Sequence, residues 1–429
     1  MKNLHFNIFF LCVVMILTAC ENQSPDKSAI GEHMSKSAKR GVAFNFVYTS
    51  DLPLLSPYIA WNYNWGNTTN DNAALWFDAN EIDFCPMCWN GNYSADNIRA
   101  YVAAHPNTKY LLAFNEPNLT DQANMTPAQA AELWPPVVAL AKELKLKLVS
   151  PAMNYGTLAG YSDPIKWLDE FFAQPNVSID DVYAISVHSY MASTSAVQNF
   201  VSMFGKYKKP VWVTEFCAWD PKPSSAEAQM DYMSAVLNFM EQEPLVERYA
   251  WFIPRWTNTS NNPHMQLITN ELPGELTDAG KLYCGFTSFD KKTYLSSEWI
   301  PAGSYCEQQG TMPNMRPATD TQLDDLELPL MIINTGLNMA TTYHVYLPEK
   351  ATTFAIRTVG YTSMMLRVYV DDKEVTTTTI ERTSGLDNWA TTLCPISPAQ
   401  QPKAGKHTVR LEWLSGNGYF SAFSLQQTL

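Results

Sequence analysis

Two glutamates stand where a carboxylate pair could perform acid–base and nucleophilic work. Glu116 follows the apolar run Tyr110 to Ala113 within Phe114, Asn115, Glu116 and Pro117, and Glu215 ends the β-rich run Val211, Trp212, Val213 and Thr214. Both are therefore expected at strand ends. Cleaving a glycosidic bond with retention takes one carboxylic acid to protonate the leaving oxygen and one carboxylate to attack the anomeric carbon, the two about 5 to 5.5 Å apart. Mutual repulsion and burial among aromatic rings would raise one of the two pKa values, leaving that group protonated near neutral pH. Glu116 is assigned this acid/base role. Glu215 is assigned the nucleophile's role and is expected to be kept ionised by hydrogen-bond donors.

Other residues could support this chemistry. Asn115, beside the acid, is a short amide able to hydrogen-bond a substrate hydroxyl, though a turn residue at a strand end would look the same. His188 and Tyr190 follow a sixth strand in Ser186 to Tyr190, and the Tyr190 hydroxyl could hold Glu215 in place. A lone histidine is often simply a satisfied core residue. Trp251, near the end of an eighth strand, is the expected sugar platform, with core packing as its rival. Tyr63 and Trp65 after strand two, and Trp89 after strand three, are further candidates of the same kind.

The elements that must position these residues read as eight short apolar strands: 42–48, 58–63, 82–87, 110–114, 147–151, 183–187, 211–215 and 248–253. Helical patterns lie between them at 95–104, 127–144, 163–172, 196–207 and 226–242, with Thr126 and Pro127 forming an N-cap and first-turn pair. Alternating strands and helices predict an α/β fold, a (β/α)8 TIM barrel whose site lies at the C-terminal ends of its strands. No GxGxxG or P-loop follows any strand, which disfavours an open doubly wound sheet. Beyond Phe286 the helical pattern stops. Alternating runs at 341–347, 353–359, 364–370, 389–393 and 407–413 predict a C-terminal all-β sandwich, with the boundary between Asp290 and Glu298. The expected division is a barrel over 40–288 and a sandwich over 297–429.

Composition narrows the partners. With 29 Lys and Arg against 42 Asp and Glu, the net charge is −13 and no basic stripe is available for a phosphate backbone, so nucleic acid is excluded. Aromatics are 13% of residues and 13 are Trp, as suits a cleft that stacks rings on the C–H faces of sugars. At the start, Lys2 precedes an apolar run from Phe6 to Leu17 that is too short to span a bilayer and reads as a signal peptide over 1–20. Leu17, Thr18, Ala19 and Cys20 resemble a bacterial lipobox, making Cys20 the expected lipid anchor and membrane contact. The polar stretch 21–39 reads as a flexible tether. Glu21 is not a strong inner-membrane retention signal, so the outer membrane is the expected address. Cys85, Cys88, Cys217, Cys284, Cys306 and Cys394 would sit where disulfides can form, with pairing unreadable. Cys85 and Cys88 form a CxxC without a second half, so no zinc site is completed and no metal is expected.

The run from Arg40 to about Tyr283 resembles the Asl1-like catalytic core of glycoside hydrolase family 128, through RGVAFNF, WNYNW, FCPMCWN, LLAFNEPNLTDQANMTPAQAAELWP, LVSPAMN, ISVHSY, KKPVWVTEFCAWD, VERYAWF and LTDAGKLY. The resemblance implies a clan A barrel with Glu116 as acid/base and Glu215 as nucleophile. It also implies a β-1,3-glucan cut internally with retention, and no metal or organic cofactor. The tail resembles a family 6-type carbohydrate-binding module through IPAGSYCEQQGT, TTYHVYLPEKATTFAIRTV, LRVYVDDKEV, DNWATT and AGKHTVRLEW. It departs from that family at Ala302, Gly303 and Ser304, where an Ala-Glu pair near a calcium site is usual. It departs again at Leu386 and Phe423, which replace a stacking Trp before Trp389 and a late sugar-binding Asn. Two rivals to a β-1,3-glucanase stand beside it: a glycan-binding surface lipoprotein without catalysis, and a hydrolase of another β-glucan linkage.

Overall fold

The computed structural model describes residues 36–257, 262, 264–287, 289, 291–318, 326, 328 and 330–427. The leader, Cys20 and most of the tether lie outside them.

Eight short parallel strands form the first unit. They are β1 Arg40–Ala43, β2 Trp61–Tyr63, β3 Asp83–Phe84, β4 Tyr110–Leu112, β5 Lys147–Val149, β6 Ile185–Met191, β7 Val211–Asp220 and β8 Val246–Trp251. One sheet runs in the order β3-β2-β1-β8-β7-β6, and β4 pairs with β5. Parallel bridges from Met87 to Leu112 and from Val149 to Ala184 join the two pieces into a closed barrel. The short helix α1 (Leu52–Leu55) and the helices α2 (Asp71–Ala79), α3 (Ala95–Ala104), α4 (Pro127–Glu143), α5 (Pro164–Phe172), α6 (Thr194–Met203), α7 (Ala226–Gln242) and α8 (Asp278–Gly285) complete this unit. Thr126 caps α4 in a full capping box with Gln129. The sequence pattern missed α2 and α8. The α2 segment is rich in Asn, Asp and Ala and leaves Leu75 and Trp76 exposed, so its apolar face carries little periodic signal; Asn70 caps it instead, accepting from Ala73 N at 3.0 Å.

Strand alternation sorts the barrel side chains into two layers. Ala43, Trp61, Tyr63, Met87, Tyr110, Leu112, Val149, Trp212 and Ala250 fill the interior. Their strand neighbours, such as Val42, Leu111, Leu148, Val213, Tyr249 and Trp251, join the cluster that includes the helices' apolar faces. Gly41 has no room for a side chain, since a Cβ there would come within 2.5 Å of the Trp61 indole.

The second unit is a β-sandwich. One sheet orders Asn314–Pro317, Leu330–Ile333, Gly418–Gln426, Thr353–Gly360 and Ala390–Pro395, and the other orders Glu307–Gly310, Met339–Leu347, Gly405–Ser415, Met364–Val370 and Lys373–Ile380. Tyr343, Phe354, Trp413, Phe420 and Phe423 are buried between them. The sandwich docks on α7, where Ser234 Oγ accepts from Met315 N at 2.8 Å and Asn238 Nδ2 donates to Pro313 O at 3.0 Å. Among the described residues no helix is long and apolar enough to cross a membrane.

Candidate active site

Strand ends β2, β4, β6 and β7 deliver Tyr63, Glu116, His188 and Glu215 to the C-terminal mouth of the barrel. All four are buried, and one ligand-type atom each from Glu116, His188 and Glu215 lies within 4.8 Å of the others. The cavity above them, about 480 Å³, is lined by Trp65, Trp89, Asn115, Glu116, Leu119, Gln122, Asn154, Tyr190, Glu215, Trp219 and Phe252.

Glu215 accepts three hydrogen bonds: from Tyr63 Oη at 2.6 Å and Trp65 Nε1 at 2.8 Å on Oε1, and from Tyr190 Oη on Oε2. Burial, and then the Glu215 charge, pushes both phenols well above their usual value, so they remain donors. Three donors converging on one carboxylate fix its orientation.

Glu116 is held differently. Its backbone sits in the left-handed region at φ 45°, a conformation unfavourable for a side chain with a Cβ. The loop behind it compensates: Leu119 N donates to Glu116 O, Ala123 N to Asn115 O and Met125 N to Pro117 O. His188 Nδ1 lies 2.9 Å from Glu116 Oε1 and 3.4 Å from Glu215 Oε2, and Asn154 Nδ2 donates to Glu116 Oε1 at 3.0 Å. Asn118 underlies Asn154, donating to its carbonyl at 2.7 Å. Gly156 makes that approach possible, because a Cβ there would meet Asn118 Nδ2 at 2.6 Å.

This geometry corrects the expected pKa of Glu116. Burial raises it, but the His188 charge and the hydrogen bonds from His188 and Asn154 outweigh burial and hold the carboxyl below its usual value. Burial lowers the His188 imidazole, and the charges of Glu215 and then Glu116 overcome this and raise it. The mutual repulsion foreseen between the carboxylates is thus relieved by an imidazole placed against both. A proton on His188 with two carboxylates, or on Glu116 with a neutral imidazole, gives the same total charge. One hydrogen bond separates these forms. His188 Nε2 is buried without a partner among the described residues, and it carries its hydrogen in both forms, because a neutral ring that accepts from Glu116 at Nδ1 is protonated at Nε2.

Trp251 requires a second correction. It is fully buried in the layer between strand and helices, donates to Met265 O at 2.7 Å and packs edge-on to Phe216. Parity explains this: Ala250 points into the barrel, so Trp251 points out, and Phe252 reaches the cleft in its place. Tyr63 is likewise no platform but a donor beneath the cleft. Trp65 and Trp89 line it as expected. The sequence reading passed over Gln122, Asn154, Trp219 and Phe252. Trp219 lies beyond the run read as the seventh strand and Phe252 within the run read as the eighth, so a longer β7 and the right parity of β8 would have exposed them.

Neither Cys85 nor Cys88 forms a disulfide, and burial pushes the Cys85 thiol up to about 12 and Cys88 higher still, so neither is a ready nucleophile or thiolate ligand. Glu116, His188 and Glu215 are close enough to ligate a cation, and of the three Glu116 and Glu215 line the cavity.

A closed parallel barrel with a buried carboxylate pair, ringed by aromatics at the C-terminal strand ends, defines a glycoside hydrolase catalytic domain. The model of the glycosyl hydrolase catalytic core family matches residues 41–283, more than half of the chain. A family 128 subgroup II endo-β-1,3-glucanase from Pseudomonas viridiflava is 38% identical, with a TM-score of 0.53 over 58% of this chain and 98% of that one. Another, from Sorangium cellulosum, is 32% identical, with a TM-score of 0.52 over 57% and 97%. The chain belongs to glycoside hydrolase family 128. It is also 26% identical over 268 residues to Alkali-sensitive linkage protein 1 of Schizosaccharomyces pombe; the match covers 58% of this chain and 45% of that protein, under half its length.

Proposed function

We propose that the protein is a retaining endo-β-1,3-glucanase in which Glu116 is the acid/base and Glu215 the nucleophile. The observation that carries the reading is the approach of the two carboxylates, with oxygens within 4.8 Å, which suits direct attack and leaves too little room for the intervening water of an inverting enzyme. The assignment of roles follows from their partners. Glu215 meets three donors that hold it in one orientation and cannot take its place as a base, as suits a nucleophile. Glu116 is hydrogen-bonded to the one group that can hand it a proton and take it back, as an acid that later serves as base requires.

In the first step Glu215 attacks the anomeric carbon and forms a glycosyl ester while Glu116 protonates the departing oxygen. In the second, Glu116 takes a proton from water, which displaces Glu215 and restores the starting charge. Trp65, Trp89, Trp219 and Phe252 offer apolar faces along the cavity for sugar rings. The β-1,3 linkage is supported by the activities of the Pseudomonas and Sorangium relatives.

The chain from Gly31 onward, incubated with laminarin, curdlan, mixed-linkage glucan and cellulose, should release a ladder of oligosaccharides from the β-1,3-linked glucans. Glucose alone would indicate exo action, and products from cellulose alone another linkage. Binding without products would leave a glycan-binding protein. The Leu17-Thr18-Ala19-Cys20 run supports lipid anchoring at Cys20 in the bacterial envelope, facing glycan at the cell surface. Cys20→Ala should then release the protein from the membrane fraction; continued membrane retention would refute the anchor.

A further inference from the structure

The loops that follow β4 and β5 are fastened to each other at Asn118. Its main-chain O accepts from Thr157 N at 3.0 Å and from Leu158 N at 2.9 Å, and two residues on, Thr120 N donates to Thr157 Oγ1 at 2.9 Å. Its fully buried side chain donates from Nδ2 to Asn154 O at 2.7 Å and to Tyr161 O at 3.4 Å. Main-chain carbonyls only accept, so the Asn118 amide has one orientation. Its Oδ1 is sealed from solvent with no partner among the described residues, which costs stability. An apolar side chain of the same size would avoid that cost but could not hold the two carbonyls. Asn154 is fixed in turn: its Oδ1 accepts from Tyr155 N at 2.8 Å, a main-chain donor, so Nδ2 faces Glu116 and donates to Oε1 at 3.0 Å.

We infer that Asn118 is a positioning residue for the acid/base: it holds the loop after β5 where Asn154 reaches Glu116, and so keeps the Glu116 carboxyl aimed at the glycosidic oxygen. The terminal torsion of a glutamate is broad, so the plane of its carboxyl is set by partners rather than by the backbone. His188 meets the same Oε1 from the end of β6. One contact there would let the carboxyl pivot about it, and the second, from the end of β5, removes that freedom. Aim matters most where proton transfer is most needed: a leaving group of high pKa departs only as it is protonated, whereas an acidic phenol departs with little help. The inference rests on the reading of Glu116 as acid/base.

The test compares kcat/KM, which reports the first chemical step, for 4-methoxyphenyl and 2,4-dinitrophenyl β-laminaribiosides in the wild type, Asn118→Ala, Asn118→Asp, Asn154→Ala and the double variant Asn118→Ala with Asn154→Ala. Asn118→Asp keeps the side chain's shape while its carboxylate cannot donate, so it serves should the smaller alanine unsettle the fold. Asn154→Ala should lose about tenfold more on the methoxyphenyl than on the dinitrophenyl glycoside, the equivalent of one hydrogen bond. Both Asn118 variants should show the same selective loss. The double variant should be no more selective than Asn154→Ala alone, because the two residues act through one contact. Equal losses on both glycosides in the Asn118 variants, or a selective loss that multiplies in the double variant, would overturn the inference. So would the absence of a selective loss in Asn154→Ala. Glu116→Ala probes the reading beneath: it should show the largest selective loss of all, and equal losses on both glycosides there would strike the acid/base assignment instead.

Discussion

The two ends of the barrel both bury charge among aromatic rings, yet they do opposite things with it. At the N-terminal floor, the Arg248 guanidinium lies 4.4 Å from the Tyr110 ring centroid and 4.7 Å from that of Trp212, and it pairs with Asp83. Asp83 also receives Lys109 at 2.7 Å. The carboxylate has two cationic partners there, and the aromatic faces favour the Arg248 cation further. At the mouth, two carboxylates share one imidazole, and the surrounding donors are neutral. The floor gives its carboxylate partners of full positive charge; the mouth sets two carboxylates against one shared imidazole, and in the proposed mechanism a cation-like sugar offsets the remaining negative charge. Similar aromatic boxes therefore become structural or reactive according to whether the protein supplies the counter-charge.

This contrast can be broken from either end. The largest effect is expected for Glu215→Ala, which should cut turnover of laminarin by about 10⁴-fold or more while leaving thermal unfolding little changed. Arg248→Met should do the reverse. Removing one partner of a buried pair costs about 3 kcal/mol, because Asp83 is left partly uncompensated, so urea unfolding should shift to lower concentration while kcat of the folded enzyme changes less than about twofold. Trp65→Phe keeps a ring in the cleft but removes a donor to Glu215, and kcat should drop about tenfold with a smaller change in KM. A KM effect alone would make Trp65 a platform rather than a support for the nucleophile.

The pH profile sharpens the mouth's side of the comparison. In the proposed mechanism the active form holds one proton between His188 and Glu116, to be lost as pH rises through the raised His188 value, above the usual 6.5. The alkaline limb of kcat/KM should therefore lie above pH 6.5 and move to lower pH in His188→Gln, where only carboxyls hold the proton. An unmoved limb would separate His188 from the catalytic proton. Stability follows the same signs. The raised imidazole stabilises the fold below its unfolded pKa, a contribution lost as pH rises through its folded value. The depressed Glu116 stabilises above its unfolded pKa, a contribution lost as pH falls through its folded value.

Much of the scaffold was legible because strand and helix periods repeat: α3 and α7 fall on the bounds that their apolar pattern predicts, and Glu116 and Glu215 emerge from strands read from composition alone. Tyr190 on Glu215 was legible for the same reason, being two residues beyond a strand-end histidine. Trp251 failed because a single-residue error in parity moves a side chain from the cleft to the outer layer. Gln122 and Asn154 were hidden for another reason: they reach the site through loops that fold back, and no period encodes a return. The pKa of Glu116 was the least legible property of all. Its direction depends on where His188, 72 residues away, places one nitrogen.

The most direct test of the central claim is to trap the covalent intermediate. The enzyme would be inactivated with 2-deoxy-2-fluoro-β-laminaribiosyl fluoride and the labelled peptide sequenced by mass spectrometry. The account predicts one disaccharide ester on Glu215, with reaction products from ordinary substrate retaining the β configuration. A label on Glu116 would reverse the roles, and no label together with α-configured products would contradict double displacement.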